Sequence, residues 1–281
     1  MSLLDRIREC NVHDLSRFVP FTVAGVRVGW VKKTFIERLE AFPEVFEASE
    51  RGVAMAPGLA TPEARTEAAT SALRQLADEG VIEGWRDEYY PVGTSFTAPP
   101  LMLMERAAVP FFGVRAYGIH VNGVVRDGGD TRLWIGRRAP DKHTFPDQLD
   151  NLIGGGQPAG IGLLDNLMKE AEEEASIPPD LAATAAPVGL VSYCCETEYG
   201  LKPDVLFLYD LELPSDFVPV NRDGEVAEFM LWPVERVLET VAETQDFKFN
   251  CNLVCIDFAV RHGFVAPDEP DYVEIVQGLR R

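Results

Sequence analysis

Apolar and polar positions in the first hundred residues alternate over short distances, which is typical of a small domain of mixed helices and strands. The pattern predicts a strand or hairpin, two helices and two short extended segments, at residues 21–31, 35–46 (closed by Pro43), 61–80, 89–92 and 99–103. Thr61 is a suitable N-cap for the second of these helices. We therefore expect a small α+β domain over residues 1–105, and no catalytic motif is apparent in it.

The pattern changes after residue 110. Residues 113–125 alternate strongly and predict a strand that turns at Asn122-Gly123. A short apolar run at 133–136 comes next, and then a glycine run at 154–156 that precedes a long helix. More strands and helices follow that helix, at residues 188–197, 204–213, 226–232, 233 onward and 249–262. Strands on both sides of a central helix predict an α+β domain over residues 106–281, with a mixed sheet between helices.

Three carboxylates share one face of the central helix. Apolar side chains recur there at helical spacing and predict a buried stripe: Leu164, Leu167, Met168, Ala171 and Ala175. At about 100° per residue, Glu170, Glu173 and Glu174 fall within an arc of about 100°. Glu172 points to the opposite side. The three side chains therefore crowd one another.

This crowding carries two electrostatic costs. Like charges at i,i+4 destabilise a helix, and these carboxylates also lie at its negative, carboxyl-terminal end. A solvated acidic face is the alternative interpretation of such a glutamate run. A bound divalent cation would offset both costs, and ligands that offer only oxygen favour Mg²⁺ or Mn²⁺ over zinc.

The segment from residue 154 to 179 resembles the Nudix box, in which a glycine, a glutamate and the motif R-E-U-x-E-E-x-G-U follow at set spacing (U is aliphatic). The opening glycine aligns with Gly155, and the metal-binding glutamates align with the three carboxylates described above, Glu170, Glu173 and Glu174. The resemblance implies a Nudix fold, an α/β/α sandwich, with metal ligands at Gly155 and these glutamates. It also implies metal-assisted attack of water on a diphosphate.

Three positions depart from the box. Ile161 replaces its early glutamate, Lys169 its arginine and Ser176 its late glycine. Lysine keeps a charge beside the carboxylates but lacks the rigid fork of arginine. The intact glutamates favour an active enzyme, whereas the substitutions leave a non-catalytic Nudix-like binding or interaction module as the competing interpretation.

Residues 223–237 resemble the Nudix segment that supplies a further glutamate. By that match Glu225 is the candidate for an additional metal ligand or base, and Glu228 is a weaker one; an ordinary turn carboxylate is the alternative. The base could equally be Glu173 or Glu174. Beyond the box, most of residues 111–265 resembles a Nudix subfamily related to thiamine pyrophosphokinases, in which a domain of undefined role precedes the Nudix domain. That subfamily implies a thiamin-diphosphate-like substrate first, and ADP-ribose or another nucleoside diphosphate derivative second.

Basic residues before the box are candidates for phosphate binding. Arg137 and Arg138 are proposed to contact the distal phosphate, with Lys169 as a further substrate-binding candidate; surface solvation is the alternative. The five cysteines are expected to pack in the core, since no partners complete a zinc site. His120 is expected to be a hydrogen-bonded sheet histidine, and Tyr193 or Trp134 a core aromatic with substrate stacking as the alternative.

The charge balance narrows the class of ligand. The 281 residues carry 45 acidic and 26 basic side chains, a net charge of −19. This acidity argues against nucleic acid or an anionic membrane as a partner, and predicts that a diphosphate binds only with metal present. Without a signal peptide or apolar span in the sequence, a cytoplasmic location is expected. Both a monomer and a homodimer remain open.

Overall fold

The computed structural model describes residues 2–281. They form a first core with one apolar cluster and a second core with an apolar cluster on each face of its sheet, and both cores line one cavity. The helices are α1 Leu3–Glu9, α2 Ile36–Glu40, α3 Pro62–Asp78, α4 Val109–Phe112, α5 Leu163–Ala175, α6 Pro179–Ala182, α7 Val234–Glu243, α8 Phe249–Arg261 and α9 Tyr272–Gly278. The strands are β1 Phe18–Val23, β2 Val26–Lys32, β3 Phe46–Ser49, β4 Gly52–Met55, β5 Tyr89–Val92, β6 Met102–Glu105, β7 Tyr117–Asp127, β8 Asp130–Arg138, β9 Leu149–Asn151, β10 Ile153–Gly156, β11 Ala186–Ser192, β12 Cys195–Glu196, β13 Leu201–Lys202, β14 Val205–Glu212 and β15 Val226–Pro233.

The first core is formed by a four-stranded sheet in the order β2-β1-β4-β3, the pair β5–β6 and the long helix α3. The hairpin predicted at residues 21–31 is confirmed as β1 and β2, which turn through Ala24 and Gly25, both with positive φ. Thr61 caps α3 by accepting a hydrogen bond from the N–H of Ala64, as its sequence position predicted. This part of the chain is therefore α+β.

A seven-stranded mixed sheet forms the centre of the second core. Its main path is β11-β14-β7-β8-β15, with β10 paired to β7 and β9 to β8; β14 runs parallel to β7 and the other pairs are antiparallel. Helices α5 and α6 pack on one face, and α1, α7, α8 and α9 on the other. The predicted α/β/α sandwich is therefore confirmed.

The first helix belongs to the second core. Leu4, Ile7 and Cys10 pack with α7 and α8, and the fully buried Arg6 donates through Nε to the carbonyl of Val241 at 2.8 Å. The division of the chain at residue 105 stays a prediction. Within residues 2–281, no helix is long and apolar enough to cross a bilayer.

Two predicted elements are wrong. The helix expected over residues 35–46 stops at Glu40, since Phe42 precedes a proline and is biased away from helical angles, and Phe46 pairs instead with Met55 in a sheet. The turn expected at Asn122-Gly123 lies inside the continuous strand β7. Asn122 is buried and donates to Asp210 Oδ1 at 2.9 Å, whereas the hairpin turns at the glycine pair 128–129.

The stripe predicted on the central helix is confirmed only in part. Leu167, Ala171 and Ala175 are fully buried against the sheet. Leu164, in the first turn of α5, is instead 46% exposed. Met168 is half-buried at the edge of the same core.

Candidate active site

The central helix α5 is held directly over the glycine strand β10. Asn166, fully buried in the first turn, donates to the carbonyl of Gly156 at 2.8 Å. The helix ends at Ser176, which has a left-handed φ of 53° at the position where the Nudix box has glycine. This conformation costs a residue with a Cβ about 1–2 kcal/mol. Ser176 Oγ donates to the carbonyl of Val220 at 2.6 Å, which offsets part of that cost.

Two of the predicted glutamates lie against this glycine strand. Glu174, only 8% exposed, accepts a hydrogen bond of 3.0 Å from the N–H of Gly154. Glu170 packs on Gly155 so closely that a Cβ at Gly155 would lie 2.7 Å from the carboxyl carbon of Glu170. A side chain at Gly155 would therefore displace the Glu170 carboxylate from its place on β10.

Burial makes these two carboxylates costly to ionise. It raises the pKa of Glu174 well above its ordinary value, and the nearby charge of Glu170 adds to the shift, against the hydrogen bond from Gly154. Burial likewise raises the pKa of Glu170, which Lys169 opposes. A divalent cation would stabilise both carboxylates in their charged form.

Lys169 bridges two of the glutamates. Its Nζ lies 3.1 Å from Glu170 Oε1 and 3.1 Å from Glu173 Oε2. Glu173 is itself half exposed, whereas Glu172 points away as predicted and pairs with Arg222. The ammonium group therefore partly neutralises the carboxylates with which it shares this face.

One other cluster has the composition of a metal site. In the described part of the chain, the group of three or more histidine, cysteine or acidic ligand atoms within 4.8 Å of one another consists of His120, Asp150 and Cys251. Asp150 Oδ2, however, also lies 3.2 Å from Lys248 Nζ and 3.1 Å from Arg138. These two cations already neutralise the carboxylate, so the cluster is a buried polar network rather than an open cation site.

A cavity of about 290 Å³ lies between the two cores, with the glycines of β10 in its wall. From the second core it is lined by Glu225, Lys142, Tyr193, Phe249 and Asp204, among others. The opposite side comes from the first part of the chain: Glu83, Gly84, Arg86, Tyr90, Arg106 and Ala107. Both halves of the chain therefore build one concave surface beside the box.

Glu225 lines this cavity immediately before β15. It forms an ion pair with Lys142. Although partial burial opposes ionisation, Lys142 lowers the pKa of Glu225, with Arg86 adding to the effect. Glu225 is thus charged at neutral pH and faces the same cavity as the box. Glu228 is instead exposed and lies outside the cavity, 4.0 Å from Arg137.

The structure separates the two arginines proposed to contact phosphate. Arg138 lines the cavity but is occupied: it pairs with Asp150 and donates to the carbonyls of Thr144 and Phe145 at 2.8 and 3.0 Å. Arg137, which precedes Arg138 in β8, points to the other face and donates to the carbonyl of Asp147 at 2.9 Å. Arg137 is therefore outside the cavity, because side chains of a strand alternate between its faces.

The two aromatic candidates for substrate stacking, Tyr193 and Trp134, lie in different places. Tyr193 is buried in the cavity wall, donates to Asp204 Oδ2 at 2.9 Å and packs edge-on against Phe249, with ring centroids 5.4 Å apart. Trp134 packs in the core between the sheet and α5. His120 is confirmed as a hydrogen-bonded sheet residue, with Nδ1 2.8 Å from Asn151 Oδ1. All five cysteines are free thiols.

Sequence reasoning missed the cavity residues of the first part of the chain. Arg86 and Arg106 belong to no motif, and they reach the box only because β5 and β6 fold against β10. No local pattern of the sequence marks them.

Comparison with known proteins identifies the family. Residues 2–116 match a domain of unknown function, DUF4743. Two proteins of Arabidopsis thaliana, Nudix hydrolase 20, chloroplastic and Nudix hydrolase 24, chloroplastic, are each 45% identical to the chain, over 98% and 99% of this chain and 77% of each relative. The NUDIX domain of Shewanella oneidensis NrtR complexed with ADP ribose superposes with a TM-score of 0.42 at 14% identity, over 54% of this chain and 90% of that one.

The two plant relatives correct one prediction. Both are named as chloroplastic, which contradicts the cytoplasmic location expected from the sequence. The similarity to these relatives extends through both halves of the chain and includes the box. This chain therefore belongs to the Nudix hydrolases.

Proposed function

We propose that the protein hydrolyses the diphosphate linkage of a small organic diphosphate with Mg²⁺. The metal ligands in this proposal are Glu170, Glu173, Glu174 and the carbonyl of Gly155. The observation that carries it is the pair formed by the buried Glu174 and the half-buried Glu170, which lie against the glycines of β10 beside a cavity. Two crowded carboxylates in this position favour a divalent cation as their counter-charge.

The residues around the cavity fit such a metal. Their donors are carboxylate and carbonyl oxygens, the ligands that Mg²⁺ and Mn²⁺ prefer. Lys169 balances Glu170 and Glu173, and its flexible side chain can move aside when a metal ion binds. When bound, Mg²⁺ supplies charge neutralisation at the phosphate oxygens and a lowered pKa for water.

Glu225 is our candidate for the residue that accepts the proton of the attacking water. Its pKa is lowered by Lys142, so that it is ionised at neutral pH, and it lines the cavity whose wall includes the glycines of β10. Glu173 and Glu174 are the alternatives. Lys142 would hold the Glu225 carboxylate in place and balance its charge.

Within this reaction we propose a thiamin-diphosphate-like substrate. The cavity of about 290 Å³ is at the small end of ligand sites, which favours a compact diphosphate over a dinucleotide. Tyr193 and Phe249 offer aromatic surface to a cationic ring, and Asp204 offers a carboxylate beside them. The similarity to thiamine pyrophosphokinase-related Nudix proteins, given above from the sequence, supports the same substrate class.

The test is turnover of a panel with Mg²⁺: thiamin diphosphate, ADP-ribose and nucleoside diphosphate derivatives, with products identified by mass. Glu174→Gln should abolish turnover, as should chelation of the metal. Glu172→Gln is the matched control, since Glu172 lies on the opposite side of the same helix and should leave turnover intact. Turnover that survives both Glu174→Gln and chelation would contradict the proposal.

A further inference from the structure

We propose that the first part of the chain supplies a phosphate-binding wall to the active-site cavity, with Arg86 as the residue that contacts the diphosphate. The front wall is defined as the cavity-lining residues Glu83, Gly84, Arg86, Tyr90, Arg106 and Ala107. All of them lie in the region that matches a domain of unknown function. This assignment rests on the proposed diphosphate chemistry and gives that domain a role in it.

The front wall is built onto the glycine strand and the loop that precedes it. The carbonyl of Tyr89 accepts a hydrogen bond of 2.8 Å from the N–H of Ala159, just after β10. The hydroxyl of Tyr90 occupies the space that a side chain at Gly156 would fill. On the other flank, the ring of His143 packs on Gly84, so closely that a Cβ there would lie 3.0 Å from the ring. These contacts fix the wall relative to the box.

A buried carboxylate holds the ends of the wall together. Glu105 is fully buried, and its Oε1 accepts hydrogen bonds from the N–H groups of Arg86 at 3.0 Å and Ala107 at 3.3 Å. The backbone of Arg86 is therefore anchored while its side chain reaches the cavity. Such an arrangement leaves the guanidinium free to bind without a change in the chain path.

The balance of charge in the cavity singles out Arg86. The other lysines and arginines of the lining each have a carboxylate within 4 Å: Arg106 with Glu88, Arg138 and Lys248 with Asp150, Lys142 with Glu225, and Lys202 with Asp204. Arg86 is exposed at the cavity and, within residues 2–281, has no such ion pair, although it lies near enough to Glu225 to lower the pKa of that carboxyl.

An unpaired guanidinium in a concave site is suited to a diphosphate. Arginine presents several donors in a planar fork that matches two phosphate oxygens at once, and charge-assisted hydrogen bonds of this kind are strong. Because the overall charge of the chain is −19, a cation at this point also offsets repulsion between the anion and the protein. Arg86 thus complements the metal from the opposite wall.

The experiment compares Arg86→Ala, Arg86→Lys and Arg51→Ala, the last being an exposed arginine in the turn between β3 and β4. Calorimetry measures binding of methylenediphosphonate, a non-hydrolysable probe, to each full-length protein with Mg²⁺. Steady-state kinetics measure kcat and KM on the substrate panel. Circular dichroism melting curves check that each variant folds.

Arg86→Ala should weaken binding of the probe about ten- to a hundredfold and raise KM by a similar factor with a smaller effect on kcat. Arg86→Lys should recover part of the loss, and Arg51→Ala should match the wild type. Equal affinity and KM in Arg86→Ala and Arg51→Ala would overturn the phosphate-binding role of the front wall but leave the proposed hydrolysis untouched. A wild type that binds the probe through Arg86 but hydrolyses no diphosphate would overturn the proposed function alone. A folded wild type that neither binds the probe nor hydrolyses any diphosphate of the panel would overturn both.

Discussion

The carboxylate of Glu174 accepts a hydrogen bond of 3.0 Å from the backbone N–H of Gly154, which joins the last turns of α5 to the strand that lines the cavity. This contact holds a buried negative charge at the negative end of a helix. One hydrogen bond does not balance that cost, since the pKa of Glu174 remains raised by burial. A divalent cation would offset that cost, which is why Glu174 belongs to the proposed metal site.

Mg²⁺ should stabilise the wild-type protein against heat through Glu174. Ligand binding to the folded state alone raises the free energy of unfolding by about 2.7 kcal/mol at a hundred times Kd. Glu174→Gln should remove most of this gain, and Glu172→Gln should retain it. Scanning calorimetry with and without Mg²⁺ measures the effect; equal shifts in all three proteins would contradict the role of Glu174.

Gly155→Ala should disrupt the site sterically. The new Cβ would lie 2.7 Å from the carboxyl carbon of Glu170, so this side chain must leave its position, at a cost of about 0.5–1.5 kcal/mol. Mg²⁺ affinity should fall at the same time. Gly58→Ala is the control, because open space surrounds Gly58 and its φ is ordinary. Urea unfolding measures the stability of Gly155→Ala and Gly58→Ala, and titration measures their Mg²⁺ affinity. Equal stability and equal affinity in the two variants would refute the prediction.

Asp150→Asn should be strongly destabilising. The carboxylate pairs with Lys248 and Arg138 and accepts a hydrogen bond from the Cys251 thiol at 2.7 Å. Its removal leaves buried cations uncompensated, which costs about 3–5 kcal/mol. The exposed Asp147, in the same loop region, provides the control Asp147→Asn, expected within about 0.5 kcal/mol of wild type. Urea unfolding distinguishes these outcomes.

Asp210 should contribute to acid sensitivity. Burial opposes its charge, but hydrogen bonds from Arg261, His262 and Asn122 lower its pKa below the ordinary 3.8. A carboxyl with a lowered folded-state pKa stabilises the protein above its unfolded pKa, and this contribution is lost as pH falls below about 3.8.

Asp210→Asn should therefore reduce stability at neutral pH and flatten its decline in acid. The comparison is the free energy of unfolding across the acidic range for wild type, Asp210→Asn and the exposed control Asp216→Asn. If acid lowered the free energy of unfolding by the same amount in Asp210→Asn as in wild type, Asp210 would not be the source of that loss of stability.

Short-range patterns predicted much of the fold. The cap at Thr61, the hairpin at the chain's start and the helix of the box all follow from local spacing and capping, which act over a few residues. Errors arose where tertiary contacts override local preference. Asn122-Gly123 has the sequence of a turn, but the hydrogen bond to Asp210 and the packing of Leu152 on the glycine keep it in a strand.

The sequence by itself determined which residues form the box, because helical periodicity alone brings Glu170, Glu173 and Glu174 to one face. It also indicated the family, through a motif whose spacing is set by the same helix. Only the tertiary structure decided that Arg137 points away from the cavity, that Arg138 is occupied by Asp150, and that Arg86 lines the same cavity as Gly155. Those relationships join residues far apart in the chain, and contacts between distant segments are set by packing of the two cores rather than by any local pattern.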